Sequence, residues 1–349
     1  STQTGFTHMT VAVSRDYALA PLTTLALPAT AAHFCAVTDV ESLIQALDYA
    51  QQQHLPVQLL GGGSNTVFSG DYPGMVIHLA MTGVRQEEQG QNCLVHAAAG
   101  ENWNALVEHC LGKGLYGIEN LIAIPGSVGA APVQNIGAYG VELAEVLESV
   151  TVWDRQTASL RQLSAQDCKL AYRDSLFKSA EGAHYIIVEV CLRLHTEPRP
   201  VLSYDIVKNT LVEQGVDLAT VSPEQVSACV ARIRGTRLPN YQLEPNAGSF
   251  FKNPLIPEEE ARSLLQRWPD VAHWPMPDGR VKLAAAWLVE QCGWKGQRMG
   301  PVGVHPRQSI VLVNYDNGSG AELMALAGAI QQDVRETFGV SLEIEPRVV

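Results

Sequence analysis

Val40, Leu43, Ile44 and Leu47 recur at the three-and-four spacing that lays one apolar stripe along a helix. Thr38-Asp-Val-Glu41 just before them has the form of a capping box, so the pattern predicts a helix opening at Thr38. The apolar run from Leu55 to Leu60 reads as a buried strand that leads into Gly61-Gly-Gly-Ser-Asn65. Met75 to Leu79 and Cys93 to Ala98 are further strand candidates. Trp103, Leu106, Val107 and Cys110 mark a second amphipathic helix, closed near Gly112 or Gly114. Strands resume at Val150 to Asp154, Ser159 to Leu163 and Tyr185 to Leu194. Ser222-Pro223 then opens a helix with Val226, Cys229, Val230 and Ile233 on one face.

Further on, Pro257 to Trp268 and Lys282 to Cys292 read as helices, the second ended by Gly293, and Val302 to Val313 contains a strand. Ser319-Gly-Ala-Glu322 is another capping box, opening a helix with Leu323, Leu326, Ile330, Val334 and Phe338. Gly339 stops that helix, and Val340 to Glu345 reads as a final strand. Helices and strands mix without strict alternation, so the predicted class is α+β. Two stretches break every period, Gly117 to Gly140 and Pro239 to Pro254; long aperiodic segments inside compact proteins are usually functional. Soft domain boundaries fall near residues 81 and 237.

Composition narrows the picture mainly by exclusion. The 349 residues are 46% hydrophobic and 17% charged, the balance of a globular protein large enough for two or three domains. No apolar run nears the roughly 20 residues that span a bilayer. No basic segment followed by an apolar stretch opens the chain, so no secretory signal is expected; Ser1 to Met9 is polar and unpatterned, native or added. A net charge of −12 argues against a nucleic-acid partner, though a few arginines can still serve one anionic small molecule. Seven dispersed cysteines without a CxxC pair read as free thiols of a reducing cytoplasm. The ten scattered histidines show no metal-ligand spacing, so no metal is expected.

Four segments can carry chemistry. Glycines after a strand, as in Gly61 to Asn65, let main-chain amides approach a pyrophosphate, although glycine clusters also make plain turns. Position 66 is Thr where a Rossmann fingerprint needs its third glycine, and no GK[ST] follows for a P-loop. Ile124-Pro-Gly-Ser-Val-Gly-Ala-Ala-Pro-Val-Gln-Asn-Ile-Gly-Ala-Tyr-Gly140 could seat a flat ring or a phosphate against the main chain, or be an Ω-loop packed on itself. Ser249, inside Asn246 to Pro254, could donate a proton or simply be hydrogen-bonded; it is no GxSxG elbow. Arg173, Arg232, Arg234, Arg237, Gln291 and the Glu343 to Arg347 tail include guanidinium groups suited to carboxylate or phosphate, but spacing alone does not bring them together.

Together these segments resemble the UDP-N-acetylenolpyruvoylglucosamine reductase (MurB) family, over about Val37 to Glu345. The likeness rests on GGGSN at 61–65, the Gly117 to Gly140 run, YRDSLFK at 172–178, NAGSFFKNP at 246–254, KLAAAWLVEQ at 282–291 and LEIEP at 342–346. Leu202-Ser-Tyr-Asp205 is similar to the tyrosine loop of the type I branch. The resemblance implies a two-part FAD-binding domain of the vanillyl-alcohol-oxidase type (1–80, with the 340–349 strand, and 81–236) plus a C-terminal α+β substrate domain (237–339). It implies non-covalent FAD, NADPH as co-substrate, a cytoplasmic monomer without nucleic-acid or membrane partners, and reduction of enolpyruvyl-UDP-GlcNAc to UDP-N-acetylmuramate for peptidoglycan.

Residue by residue, the resemblance puts Gly61, Gly63, Ser64 and Asn65 at the pyrophosphate, and Ile124, Pro125, Gly126, Gly129 and Ala138 at the flavin. Tyr139, Tyr204, Arg237, Asn253 and Gln291 fall near the sugar nucleotide. Arg173, Ser249 and Glu345 match the catalytic group: Arg173 and Glu345 meeting charge that develops on the substrate, Ser249 protonating C2 after hydride reaches C3. A glutamate beside that charge is favoured in its protonated, donating form. Two departures stand out: Arg237 where the family often has Lys, and Leu22-Thr-Thr-Leu25 where it usually has Asn-Thr-Phe. Two rival readings are a flavin oxidase sharing the cofactor domain, and a flavin- or sugar-nucleotide-binding protein without turnover. The first leaves Arg173, Ser249 and Glu345 unexplained; the second suits a chain missing one of them.

Overall fold

The computed structural model describes residues 11–349; the Ser1 to Met9 segment lies outside the described residues. The class is α+β, as expected. The chain divides into two compact units, one holding the chain up to Tyr17, Ala31–Gly62 and Pro73–Arg234, the other Ala18–Thr30, Gly63–Tyr72 and Gly235–Val349.

The first unit contains two main sheets beside a two-stranded hairpin, Gly137–Ala138 with Val141–Glu142. In the smaller, the order is Ser14–Ala18, Thr30–Val37, Tyr72–Leu79, Val57–Leu60, and the last two run parallel with Leu60 opposite His78. Helix Val40–Gln52 packs Leu43, Ala46 and Ala50 into the core of this layer. It opens one residue later than the sequence pattern predicts. Asp39, not Thr38, is the cap: its carboxylate accepts the Ser42 amide at 2.7 Å, and Ser42 Oγ accepts the Asp39 amide at 3.2 Å. Asp at the cap with Ser three residues on replaces the expected Thr and Glu.

The larger sheet is antiparallel, ordered Ser159–Ser164, Leu147–Asp154, Tyr185–His195, Asn92–Ala98, Val84–Gln89. Its last pair is a tight hairpin, made possible by Gly90 at φ +64 between Gln89 and Asn92. Helices Trp103–Gly112, Asp205–Glu213 and Pro223–Arg237 contribute to the same core through Trp103, Val107, Leu211 and Val230. Cys110 and Cys168 belong to it too, and burial pushes both thiols up to about 12, which makes them unreactive packing groups.

The second unit is built around helix Gly320–Phe338. Its Ser319/Glu322 capping box and its left-handed Gly339 terminus are those expected. Leu323, Leu326, Ala327, Ile330 and Val334 form its buried stripe. Two sheets share this core: Asn246–Ser249, Val311–Asn314, Val302–Val304, Arg298–Met299, and Leu255–Ile256, Val281–Leu283, His273–Pro275.

Two predicted elements differ here. Lys282 to Cys292 is not one helix: Val281–Leu283 is a central strand with ladder partners on both sides, and only Ala285–Gln291 is helical. Cross-strand pairing overrides the helical period. Val340 to Glu345 is not a strand either. It makes a single bridge, Ile344 to Phe251, before Pro346, which has no N–H to continue a ladder; Arg347–Val348 then pairs in parallel with Thr66–Val67.

Candidate active site

The first unit presents its candidate residues on two tight hairpins. Ala138 pairs with Val141, leaving Tyr139 and Gly140 as a two-residue turn with φ of 52 and 87. Positive φ at both central positions is the turn type that fits the twist of paired strands. Ala171 bridges Asp174 across Tyr172-Arg173, and Arg173 again has a positive φ, 48. Left-handed backbone at a non-glycine residue costs free energy and persists where neighbours enforce it. Asn135 is such a neighbour: buried, it donates to Glu142 Oε2 and to the Ala171 carbonyl, both at 3.0 Å, and accepts the Ala144 amide. Ser175 Oγ ties the second hairpin to the Val133 carbonyl at 2.6 Å.

The Arg173 guanidinium donates to the Gly137 carbonyl at 3.1 Å and lies 5.4 Å from the Tyr172 ring. Arg234 hydrogen-bonds the Tyr139 side chain; burial first, and the nearby Arg173 charge second among the lowering causes, depress its pKa. Its Nε has no hydrogen-bond partner among the described residues. The Tyr139 and Tyr204 rings meet edge to face at 5.5 Å, with Tyr204 half exposed at the start of its helix. Tyr139, Tyr204 and Arg173 are thus brought together, along with Ala138.

The flavin-lining candidates lie in the same unit. A Cβ on Gly62 would come within 2.8 Å of Gly126 Cα, and one on Gly129 within 2.6 Å of Ala99 Cβ. The 61–62 and 124–129 loops therefore touch main chain to main chain. Ala123, at φ 62, leads into Ile124 and Pro125 and is held by Asn104, whose Oδ1 accepts its amide at 2.6 Å. His78 donates to the Gly61 carbonyl, which turns the Gly62 amide the opposite way, because N–H and C=O of a trans peptide oppose.

The second unit holds Gly63, Ser64, Asn65, Arg237, Ser249, Asn253, Gln291 and Glu345. Gly63 has φ +68, and a Cβ there would collide with the Leu22 carbonyl. Its own carbonyl accepts the Thr24 amide at 3.0 Å, so the Ser64 amide faces away from that partner. The loosely matching Leu22 to Leu25 segment is what backs the glycine loop. The Asn65 carbonyl accepts the Arg347 amide at 2.8 Å.

Ser249 ends a strand that pairs with Val311, after an irregularity at Gly248, φ +69, whose amide Asn246 Oδ1 accepts at 2.8 Å. Phe250 and Phe251, edge to face at 5.6 Å and fully buried, anchor the chain immediately after it. The Glu345 amide donates to the Phe250 carbonyl at 2.9 Å, and the Lys252 amide to the Glu343 carbonyl at 2.9 Å. Ser249 and Glu345 are thereby set on neighbouring segments, joined by the bond at the Phe250 carbonyl. Asn253 Oδ1 accepts the Ala285 amide at 3.0 Å and caps the helix that ends at Gln291. Gln291 and Arg237 both end helices and are exposed.

Two residues belong with this site that sequence reasoning did not single out, Asn120 and Asn135, and a third, Arg234, it named without a role. Arg234 stood among several arginines whose meeting point only the fold supplies. The two asparagines act by buried hydrogen bonds, for which a single sequence carries no period or spacing.

Glycine is demanded by backbone contact at Gly62 and by φ and contact at Gly63, and a main chain bare of side chains there suits a diphosphate-bearing cofactor. The FAD-binding-domain family matches residues 31–164, so the class is a flavin-binding protein with an additional C-terminal domain. That second domain, 239–349, matches the family described as UDP-N-acetylenolpyruvoylglucosamine reductase, C-terminal domain. UDP-N-acetylenolpyruvoylglucosamine reductase of Chromobacterium violaceum is 44% identical over 98% of this chain and 100% of its own. The enzyme of that name from Pseudomonas syringae pv. syringae is 45% identical over 97% and 100%. A crystal structure of the Thermus caldophilus enzyme superposes with a TM-score of 0.65 at 24% identity, covering 97% of this chain and 98% of that one. The chain belongs to the UDP-N-acetylenolpyruvoylglucosamine reductase family.

Proposed function

We propose that this chain reduces enolpyruvyl-UDP-GlcNAc to UDP-N-acetylmuramate with NADPH, in the cytoplasmic stage of peptidoglycan synthesis. FAD, held without a covalent bond, supplies when bound the hydride that reaches C3 of the enolpyruvyl group. Gly61, Gly63, Ser64 and Asn65 hold its diphosphate by main-chain and side-chain donors, and Ile124, Pro125, Gly126, Gly129 and Ala138 line its ring. Hydride arrival at C3 drives negative charge onto C2 and the adjoining carboxylate of the substrate. Arg173 and Glu345 meet that charge as donors already in place, which costs no reorganisation at the moment of reaction. Ser249 gives its proton to C2, and the product is a saturated lactyl ether. Tyr139, Tyr204, Arg237, Asn253 and Gln291 bind the sugar nucleotide. The protein works as a monomer, with the cofactor part divided at about residue 81 and the substrate part beginning at 237.

What supports this reading most is the full-length match to reductases in a chain whose main chain bonds the Glu345 segment to Phe250, next to Ser249. The test is anaerobic absorbance of the FAD-loaded protein. NADPH should bleach the flavin band and enolpyruvyl-UDP-GlcNAc should restore it; bleaching without restoration by that substrate would refute the assignment.

A further inference from the structure

Asn120 is 1% exposed, in the short turn Glu119–Leu121. Its amide nitrogen donates twice, to the Tyr139 carbonyl at 2.9 Å and to the Val201 carbonyl at 3.2 Å. Those acceptors lie in the two segments that carry Tyr139 and Tyr204. The segments also touch directly: besides the 5.5 Å ring contact, a Cβ on Gly140 would come within 2.7 Å of Ser203 Oγ. Asn120 Oδ1 has no hydrogen-bond partner among the described residues. A buried acceptor left unpaired opposes folding, so what the amide contributes here comes from its nitrogen alone. What the amide uniquely offers is two uncharged N–H donors on one short side chain.

We infer that Asn120 is a positioning residue: by clamping the Tyr139 turn to the Val201 segment, it sets Tyr139 and Tyr204 as one rigid pair for the sugar nucleotide. The inference rests on the proposed contact of both tyrosines with that substrate. Removing the clamp weakens substrate binding through Tyr204 more than it slows chemistry. In the FAD-loaded enzyme, Asn120→Ala should raise KM for enolpyruvyl-UDP-GlcNAc about tenfold, with a smaller change in kcat.

Two further readouts separate positioning from a general loss of structure. In a Tyr204→Ala background, Asn120→Ala should add much less to KM, because the main group it acts through is gone. Hydrogen exchange should quicken together in residues 137–142 and 201–206, while the Trp103–Gly112 helix exchanges as in the parent. A KM effect that persists undiminished without Tyr204, or unchanged exchange in both segments, would overturn the inference. Should Asn120→Ala fail to fold, Asn120→Ser is read by the same criteria. If the parent enzyme does not turn over this substrate, the proposed function fails, and the exchange comparison still decides whether Asn120 is the clamp.

Discussion

The two units of the chain hold their candidate residues by different physical means. In the first unit, Tyr139 and Arg173 sit at hairpin tips with left-handed backbone, fixed by buried side chains such as Asn135 and Asn120. In the second, Ser249 and Glu345 have no such strain; main-chain bonds to Val311 and Phe250 and a pair of buried phenylalanines fix them. The first arrangement presents long side chains at the expense of local free energy. The second places Ser249 and Glu345 by main-chain bonds, which change only if the core beneath changes.

The sharpest break comes in the second unit. Phe250→Ala empties a fully buried position and should cost about 4 kcal/mol, read as a lower denaturant midpoint. If Ser249 and Glu345 depend on that core, the folded fraction should also lose turnover. In the first unit, Asn135→Ala strands the Ala144 amide and leaves the Ala171 carbonyl with the Asp174 amide alone, and should cost about 2 kcal/mol. Because both hairpins lean on Asn135, kcat/KM should fall more than for a surface change of equal stability. A loss of stability with full activity would mean that the hairpins hold themselves.

The smallest effect concerns pH. Burial pushes the Glu119 carboxyl above its ordinary value, although it accepts the Gly117 amide at 2.7 Å. The folded chain thus keeps a proton that the unfolded chain releases, and stability falls as pH rises from the ordinary carboxylate value through the raised one. Glu119→Gln retains an acceptor without the charge. It should flatten that decline and leave stability at neutral pH equal or higher, checked by denaturant titrations across the interval.

How far the sequence foretold each unit comes down to the same contrast. The glycines, Ser249 and Glu345 stand in contiguous motifs, so their segments were legible, and the main-chain contacts join segments already recognised. Tyr139-Gly140 carried a turn signal in its glycine. The roles of Arg234, Asn135 and Asn120 carried none, because Arg234 and Asn120 meet partners far along the chain and the bonds of Asn135, near and far, leave no period. The same limit explains the misread elements: Val281–Leu283 is a strand because of neighbours on both sides, and Pro346 ends pairing that the apolar alternation of Val340 to Glu345 suggested.

Ser249 as the proton donor to C2 is the central claim, and rapid mixing of the FAD-loaded Ser249→Ala protein measures it directly. Flavin reduction by NADPH should proceed at the parent rate, whereas reoxidation by enolpyruvyl-UDP-GlcNAc should slow by about a thousandfold, within the range for losing a general acid. Equal slowing of both half-reactions, or reoxidation at the parent rate, would contradict it.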